Sequence, residues 1–499
     1  MITKTRYLDF LDCPKNAWLS LHKPELAHLF ELSEFAQGLT EQGNVIESLA
    51  RKRFPQGVLI QGIAEKALAA TAYHLAAQTP VIFQAAFQVD QFFIRVDILE
   101  YDKKKQCWNL YEVKATNSVT ENSKQNDHIE DVIFQKIIIE SSGVDLGRVS
   151  VLHLNKFYVL RGQIDVDNLF HIQDVTDQAE ERFIETAEMM QYAQKTLEQK
   201  DENSINCACI YKGRNSHCAT FVYSHQDVPE YAIHDIARIG ASKKKLAELV
   251  DKKIFDLKDV PLDFKLSEIQ RLQLESHVSG HTFIDKPAIK NQLDQLIYPL
   301  YYLDYESFAS AVPLFQGFSP YNQIPFQFSL HVQDSIDAQI VHYEYLHTKH
   351  VDPSLYIIAK LEQFIGSVGS IIVWSKSFEQ GVHKNLWQRH PEHQEFLENL
   401  NARMYDLAEI FTKQLYVHPD FKGKTSIKKV LPALVPTASY ATLGIQAGDV
   451  ASQSWYTMMY GSLSHDEQLK IIQDLAEYCQ QDTYAMYAIL MKLYEEISS

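Results

Sequence analysis

Short apolar runs alternate with longer amphipathic stretches along the chain, and the spacing of the polar residues inside them predicts where side chains gather. In YPLYYLDYESF, which ends at Phe308, Asp304 and Glu306 stand two residues apart among Tyr, Leu and Phe, so a strand here projects both carboxylates from one face. From Asp466 to Ile497 apolar residues recur every three or four positions, which predicts a helix with Tyr478 and Asp482 on one side. In the first half, QFFIRVD ends at Asp97 and WNLYEVKAT carries Glu112 and Lys114 at i, i+2. A hairpin of these two strands lets Asp97 meet the pair. EQGNVIESLARKRFPQG, with Glu47, reads as a helix ending near Pro55-Gln56-Gly57, and HIEDVIFQKIII, with Gln135, as a helix after the hairpin. MITKTRYLDFLDCPKNAWL reads as an amphipathic helical entry.

Carboxylates are costly to bury alone, and a cluster of them is sensible where divalent cations neutralise it; Mg2+ and Mn2+ prefer such hard oxygen ligands. The plainer reading of an Asp-x-Glu pair is an exposed edge or an ion pair, and of a Glu-x-Lys pair a surface salt bridge. A set in order argues for more than that. The acidic strand is followed by IIVWSKSFEQGVHKNL with Glu379, MYDLAEIF with Asp406, and the helix with Tyr478 and Asp482.

This order resembles the DEDD superfamily of 3′ to 5′ exonucleases, in the subtype with a tyrosine in the last motif, over roughly residues 295–499. The resemblance implies an RNase H-like fold in which Asp304, Glu306 and Asp482 hold two Mg2+ or Mn2+ ions and Tyr478 orients the attacking water. Glu379 occupies the place of the family's middle-motif aspartate, one methylene longer, and Asp406 matches an aspartate whose role there is structural. KGKTSIKKVLP, from Lys422 to Pro432, resembles the following segment, with four lysines placed to contact phosphate.

The first half resembles the PD-(D/E)XK nucleases of the RecB type, including the CRISPR adaptation exonucleases. By that resemblance Glu47, Asp97 and Glu112 are metal ligands, Lys114 is the catalytic lysine and Gln135 the auxiliary residue. Many relatives place a histidine near Glu47, and this chain has none there.

Six cysteines are present: Cys13, Cys107, Cys207, Cys209, Cys218 and Cys479. The start of the chain has no apolar signal segment, so a reducing, cytoplasmic compartment is expected rather than a disulfide framework. Cys207, Cys209 and Cys218 in NCACIYKGRNSHC cannot complete a four-ligand site alone. RecB-type iron-sulfur nucleases carry one cysteine before the nuclease core and three after it, which makes Cys13 the fourth ligand by resemblance. Four thiolates suit a 4Fe-4S cluster, with zinc as the alternative. The spacing of one residue and then eight departs from the family's usual Cys-x-x-Cys, and His217 is a spare zinc ligand or a loop histidine. Cys107 and Cys479 read as packed thiols.

With 499 residues, about three domains are expected. They are a RecB-type nuclease-like domain over 1–225, a helical connector over 226–294 with a distant helix-hairpin-helix pattern in IHDIARIGASKKKLAELVDKKIFDLKDVP, and an RNase H-like domain over 295–499. The fold class is α/β (α+β). No apolar run approaches the roughly 20 residues of a membrane span. The net charge of −17 counts against electrostatic coating of nucleic acid, which leaves local patches such as Lys103 to Lys105, Lys243 to Lys245 and Lys422 to Lys429 to meet phosphate. No Walker motif is present, so a helicase or a repair or defence protein is an expected partner rather than part of this chain. Taken whole, the order of parts resembles a bacterial family that fuses a RecB-type nuclease region to a DEDD-like domain, with SPYNQIPFQFSLHV and YPLYYLDYESF as the most similar stretches.

The reading is a two-site, metal-dependent deoxyribonuclease acting on DNA ends. A binding or assembly protein that has lost turnover, and an RNA-processing exonuclease, are the alternatives.

Overall fold

The computed structural model describes residues 1–121 and 127–498 and has a mixed α/β fold. It divides into two compact units. The first takes residues 1–210, 215–226 and 310–321, and the second takes 211–214, 227–309 and the chain from 322 onward.

In the first unit the strands are β1 (Ile2–Thr3), β2 (Gly57–Leu59), β3 (Val81–Val89), β4 (Phe92–Asp102), β5 (Cys107–Lys114), β6 (Leu146–Leu154) and β7 (Phe170–Asp174). They form one sheet in the order β2-β3-β4-β5-β6-β7, with β1 parallel to β4. β4 runs antiparallel to both β3 and β5, the latter as the hairpin pattern predicts, whereas β5 and β6 are parallel. A parallel step needs a crossover, and the helix His128–Ser141 supplies it. Asp127 caps that helix by accepting from the amides of Ile129 and Glu130. The helix is buried on nearly every side, so Ile133, Phe134 and Ile138 join Ile94, Val96, Leu110 and Val149 in one core. Each such side chain contributes about 1.5–3 kcal/mol of burial.

The entry segment forms two helices, Lys4–Asp12 and Pro14–His22, rather than one. Cys13 between them is extended, and Pro14 cannot continue the first helix because it lacks an amide hydrogen. The helix carrying Glu47 spans Glu34–Arg51 and stops before Pro55.

The second unit contains β8 (Phe283–Ile284), β9 (Leu300–Ala309), β10 (Gln323–Gln333), β11 (Val341–Leu346), β12 (Ser370–Val373), β13 (Met404–Asp406) and β14 (Tyr416–Val417). Five of these form a sheet ordered β11-β10-β9-β12-β13, and β8 pairs with β14. β9 is antiparallel to β10 and parallel to β12. The β9–β10 register shifts between Pro325 and Gln327, where proline cannot donate to the ladder. The helix predicted over 466–497 spans His465–Ser498 and packs on β9 and β10.

Residues 227–294 belong to the second unit and carry the helices Lys243–Asp251, Glu268–Ser279 and Lys286–Leu293 besides β8. The first predicted helix of this segment is replaced by the 3₁₀ turns Ile233–Asp235 and Ile239–Ala241, ahead of the helix Lys243–Asp251. The reason is a close backbone approach: a Cβ on Gly240 would lie 3.3 Å from Cα of Gly213, and Arg238 takes a left-handed φ of 56°. Among the described residues no helix is long and apolar enough to cross a membrane.

Candidate functional site

Strand β9 and the helix His465–Ser498 bring the predicted acids of the second unit together. Asp304, Glu306 and Asp482 each place a carboxylate oxygen within 4.8 Å of the others. Glu306 and Asp482 are only 7% exposed. Burial pushes the Asp304 carboxyl well above its usual range, and repulsion from Asp482 and Glu306 adds to it. Glu306 is raised in the same way, by burial and then by Asp482. Asp482 is raised by burial to about 6, against hydrogen bonds from Tyr440 and Tyr478 and the charge of Lys428. Three acids this close, Glu306 and Asp482 buried and Asp304 half-buried, form a site that a cation would stabilise.

Around this trio stand a lysine and two tyrosines. Lys428 Nζ donates to the Tyr478 hydroxyl at 2.9 Å and lies 4.8 Å from the centre of its ring. The Tyr440 hydroxyl donates to Asp482 Oδ1 at 2.6 Å. Gly448 opens the helix Gly448–Tyr460 beside them, since a Cβ there would lie 3.8 Å from both Glu306 Oε2 and the Tyr478 hydroxyl. Of the four lysines in KGKTSIKKVLP, Lys428 reaches the acids. Lys422 pairs with Glu230 at 3.1 Å, while Lys424 and Lys429 are exposed.

Glu379 lies outside the trio that closes to within 4.8 Å, though its charge still acts on Asp304. It sits on the helix Lys376–Arg389, 1% exposed, with Oε2 lacking any hydrogen-bond partner. Burial raises its pKa to about 8, helped by repulsion from Asp406. Asp406 in turn accepts from the amides of Lys376 and Ala408, which fixes the start of that helix. Cys479 is buried with its Sγ 4.0 Å from Asp304 Oδ2.

The first unit also gathers its predicted residues, but around different partners. Glu112, 1% exposed, accepts from Lys114 at 2.9 Å and from Gln135 Nε2 at 2.7 Å. Asp97 accepts from the Val113 amide at 2.9 Å, and burial, then repulsion from Glu112, pushes its carboxyl well up. Three further residues complete the network. Asp131 accepts from Lys114 and from Gln135, the latter at 3.0 Å. Lys4 binds Glu112 at 2.6 Å and Asp131 at 3.4 Å. Gln84 Nε2 bridges Glu47 Oε1 at 2.8 Å and Asp97 Oδ1 at 3.0 Å. Gln84 does so from a left-handed φ of 55°, a conformation rare outside glycine. Glu47 also accepts from Arg51 at 2.8 Å. Among the described residues, Glu47, Asp97 and Glu112 are thus held by the amides of Gln84, Gln135 and Val113, the Arg51 guanidinium and the ammonium groups of Lys4 and Lys114, and do not close on one another as the trio in the second unit does.

Sequence reasoning missed Tyr440, Lys4, Asp131 and Gln84. Asp131 had a signal, since it precedes Gln135 by four residues on one helix face. Lys4 reaches Glu112 across 108 residues, and no local pattern announces it.

The four cysteines of the first unit converge. Cys13, Cys207, Cys209 and Cys218 are all buried, with sulfurs within 4.8 Å of one another. Cys13 to Cys207 is 3.6 Å and Cys207 to Cys218 is 3.7 Å. Hydrogen bonds from the Cys13, Cys207 and Cys218 thiols hold the Cys209 thiol well below the usual range. His217 is not in this group and stacks on Phe221 at 3.5 Å. Cys107 is buried in β5, away from the cluster in sequence and absent from it.

Residues 301–426 match a family described as Domain of unknown function (DUF2779), so Asp304, Glu306, Glu379 and Asp406 fall within the match, and Tyr478 and Asp482 lie beyond it. The chain is 28% identical over 206 residues to the "Uncharacterized protein MG366 homolog" of Mycoplasma pneumoniae, a match covering 38% of this chain and 31% of the relative. It is 26% identical over 239 residues to "Uncharacterized protein MG366" of Mycoplasma genitalium, covering 44% and 35%. It is 28% identical over 227 residues to "Uncharacterized protein UU173" of Ureaplasma parvum, covering 39% and 31%. The matches thus take in about a third of the length of these curated relatives. No solved structure matches the chain.

Proposed function

We propose that the chain is a metal-dependent nuclease that hydrolyses phosphodiester bonds in DNA, with its working centre at Asp304, Glu306 and Asp482. The observation that carries this reading is the closure of these three carboxylates, two buried and Asp304 half-buried, to within 4.8 Å. The sheet order β11-β10-β9-β12-β13, with the acidic strand at its middle, supports the RNase H-like assignment of the second unit. The run β3-β4-β5, helix, β6 supports the PD-(D/E)XK assignment of the first.

The trio would hold Mg2+ or Mn2+, which when bound lowers the pKa of water and neutralises charge on the phosphate. The surrounding side chains then have separate tasks. The Tyr478 hydroxyl, already polarised by Lys428 at 2.9 Å, orients a water at the edge of the carboxylates. The Lys428 ammonium offsets charge developing on phosphate oxygens. Tyr440 holds Asp482 in place and favours its ionised form. DNA repair, recombination or defence against foreign DNA are the settings such an activity would serve.

The first unit supports a second reading for its own site, as a nucleic-acid-binding module without turnover. Lys4 and Gln84 occupy the positions between carboxylates that a divalent ion would take.

Purified protein with Mg2+ or Mn2+, given end-labelled single- and double-stranded DNA and RNA, tests both readings. Activity lost in Asp304→Asn and kept in Lys114→Ala is the expected result. Wild type inert on every substrate would overturn the nuclease reading, and activity lost in both variants would overturn the binding-module reading.

A further inference from the structure

The RecB-type resemblance implies a 4Fe-4S cluster on Cys13, Cys207, Cys209 and Cys218, and the positions of the four sulfurs test that implication. In a four-iron cubane each thiolate binds a different corner iron, so the four cysteine sulfurs spread to roughly 6 Å from one another. A single tetrahedral ion with metal–sulfur bonds of about 2.3 Å draws its four sulfurs to about 3.8 Å. The observed separations are 3.6 Å for Cys13 to Cys207 and 3.7 Å for Cys207 to Cys218, with all four sulfurs inside 4.8 Å. The donor set therefore does not fit the cubane. It fits one ion.

The surroundings hold that spacing from several sides. Cys13 is pinned at the bend between two helices, where its amide donates to Asp9 O at 2.9 Å. Cys207 and Cys209 bracket the start of a 3₁₀ turn, Ala208–Tyr211. Cys218 accepts at its carbonyl from the Phe221 amide at 3.0 Å. Thr220, next to the Cys218 sulfur at 3.7 Å, donates from its hydroxyl to Asn16 Oδ1 at 2.9 Å, which ties the 218–220 turn to the helix Pro14–His22. All four cysteines are buried, between 0% and 9% exposed, which suits a structural rather than a catalytic site.

We propose that these four cysteines hold one tetrahedral zinc ion in place of an iron-sulfur cluster, fastening the entry helices to the 207–218 loop. Four thiolates with no fifth ligand suit zinc, a d¹⁰ ion that needs neither redox exchange nor an open coordination position. The inference rests on the sulfur positions alone and stands or falls separately from the nuclease reading.

Metal analysis decides it. The full-length protein is purified under both aerobic and anaerobic conditions and assayed for zinc, iron and acid-labile sulfide. The expected result is one zinc per chain, no sulfide and a colourless preparation in both. Cobalt reconstitution is expected to give the intense visible bands of a tetrahedral thiolate site. Cys209→Ser is expected to lose the zinc and melt at lower temperature, whereas Cys107→Ser, outside the cluster, keeps its zinc. If the Cys209 variant fails to fold, the metal content of wild type still decides. Iron at any stoichiometry, with or without sulfide, or a metal-free protein would overturn the proposal.

Discussion

The ammonium of Lys4 lies 2.6 Å from Oε1 of Glu112 and 3.4 Å from Oδ1 of Asp131. With Lys114 at 2.9 Å on the same oxygen, the buried Glu112 is neutralised from within the chain. Its pKa is consequently held far below the usual carboxylate range despite burial that pulls it upward.

Removing Lys4 is expected to expose that dependence. Lys4→Met leaves Lys114 as the remaining ammonium on Glu112 and Asp131, which should cost about 1–3 kcal/mol in metal-free buffer. Part of that loss should return with Mn2+, because the vacated place is flanked by carboxylates. Thermal melts with EDTA and with Mn2+ measure it. A Mn2+-induced gain no larger than that of wild type would mean that Lys4 is not a substitute for the cation.

Tyr440→Phe is expected to weaken divalent-ion binding in the second unit without disturbing the fold. The hydroxyl donates to Asp482 at 2.6 Å and opposes the burial that lifts that carboxyl to about 6. Loss of the bond raises the pKa further, so protons compete with the ion up to a higher pH. Calorimetric titration with Mn2+ should show affinity down roughly five- to tenfold near neutral pH, the equivalent of about 1 kcal/mol. The acid limb of binding should move to higher pH. An unchanged pH midpoint would remove Tyr440 from the site.

Glu379 sets the sign of a pH dependence. Its folded-state pKa of about 8 is above the ordinary 4.5, so the native protein holds a proton there that the unfolded chain has released. Native uptake means that stability falls as pH rises from about 4.5 to about 8, and is fully present only below that window. In metal-free buffer, Glu379→Gln should flatten that slope and stabilise by about 1–3 kcal/mol at pH 8, with little effect at pH 4.5. Denaturant unfolding across this range gives the comparison, and parallel slopes for wild type and variant would contradict it.

Gly369 is expected to tolerate no side chain. Its φ is +98°, and a Cβ would lie 2.2 Å from the Pro299 carbonyl oxygen, just before β12 pairs with β9. Gly369→Ala should destabilise by about 2 kcal/mol or more, because backbone rather than a flexible side chain must move. A melting temperature within a degree or so of wild type would show that the β9–β12 edge shifts freely.

The local pattern of the chain was enough to place the acids of the second unit. Two carboxylates two apart on an apolar strand share a face, and Tyr478 and Asp482 four apart share a helix face, because these periods are properties of the backbone. The same holds for the β4–β5 hairpin and for Gln135 on its helix. The extent of the entry helices was less legible, since Cys13-Pro14 breaks one apolar period into two helices. The first predicted helix after Tyr231 gave way to 3₁₀ turns because a glycine contact with Gly213, far away in sequence, overrode local propensity.

What the sequence by itself determined is therefore which residue types share a strand or helix face, together with the mixed α/β class and the four cysteines available to one another. Only the tertiary structure decided what fills the space between those faces. Tyr440 on Asp482, Lys4 on Glu112, Gln84 between Glu47 and Asp97, and sulfurs at 3.6 and 3.7 Å are all contacts between segments 11 to 194 residues apart. Such contacts depend on the packing of whole elements, and no periodic pattern within a single element encodes them.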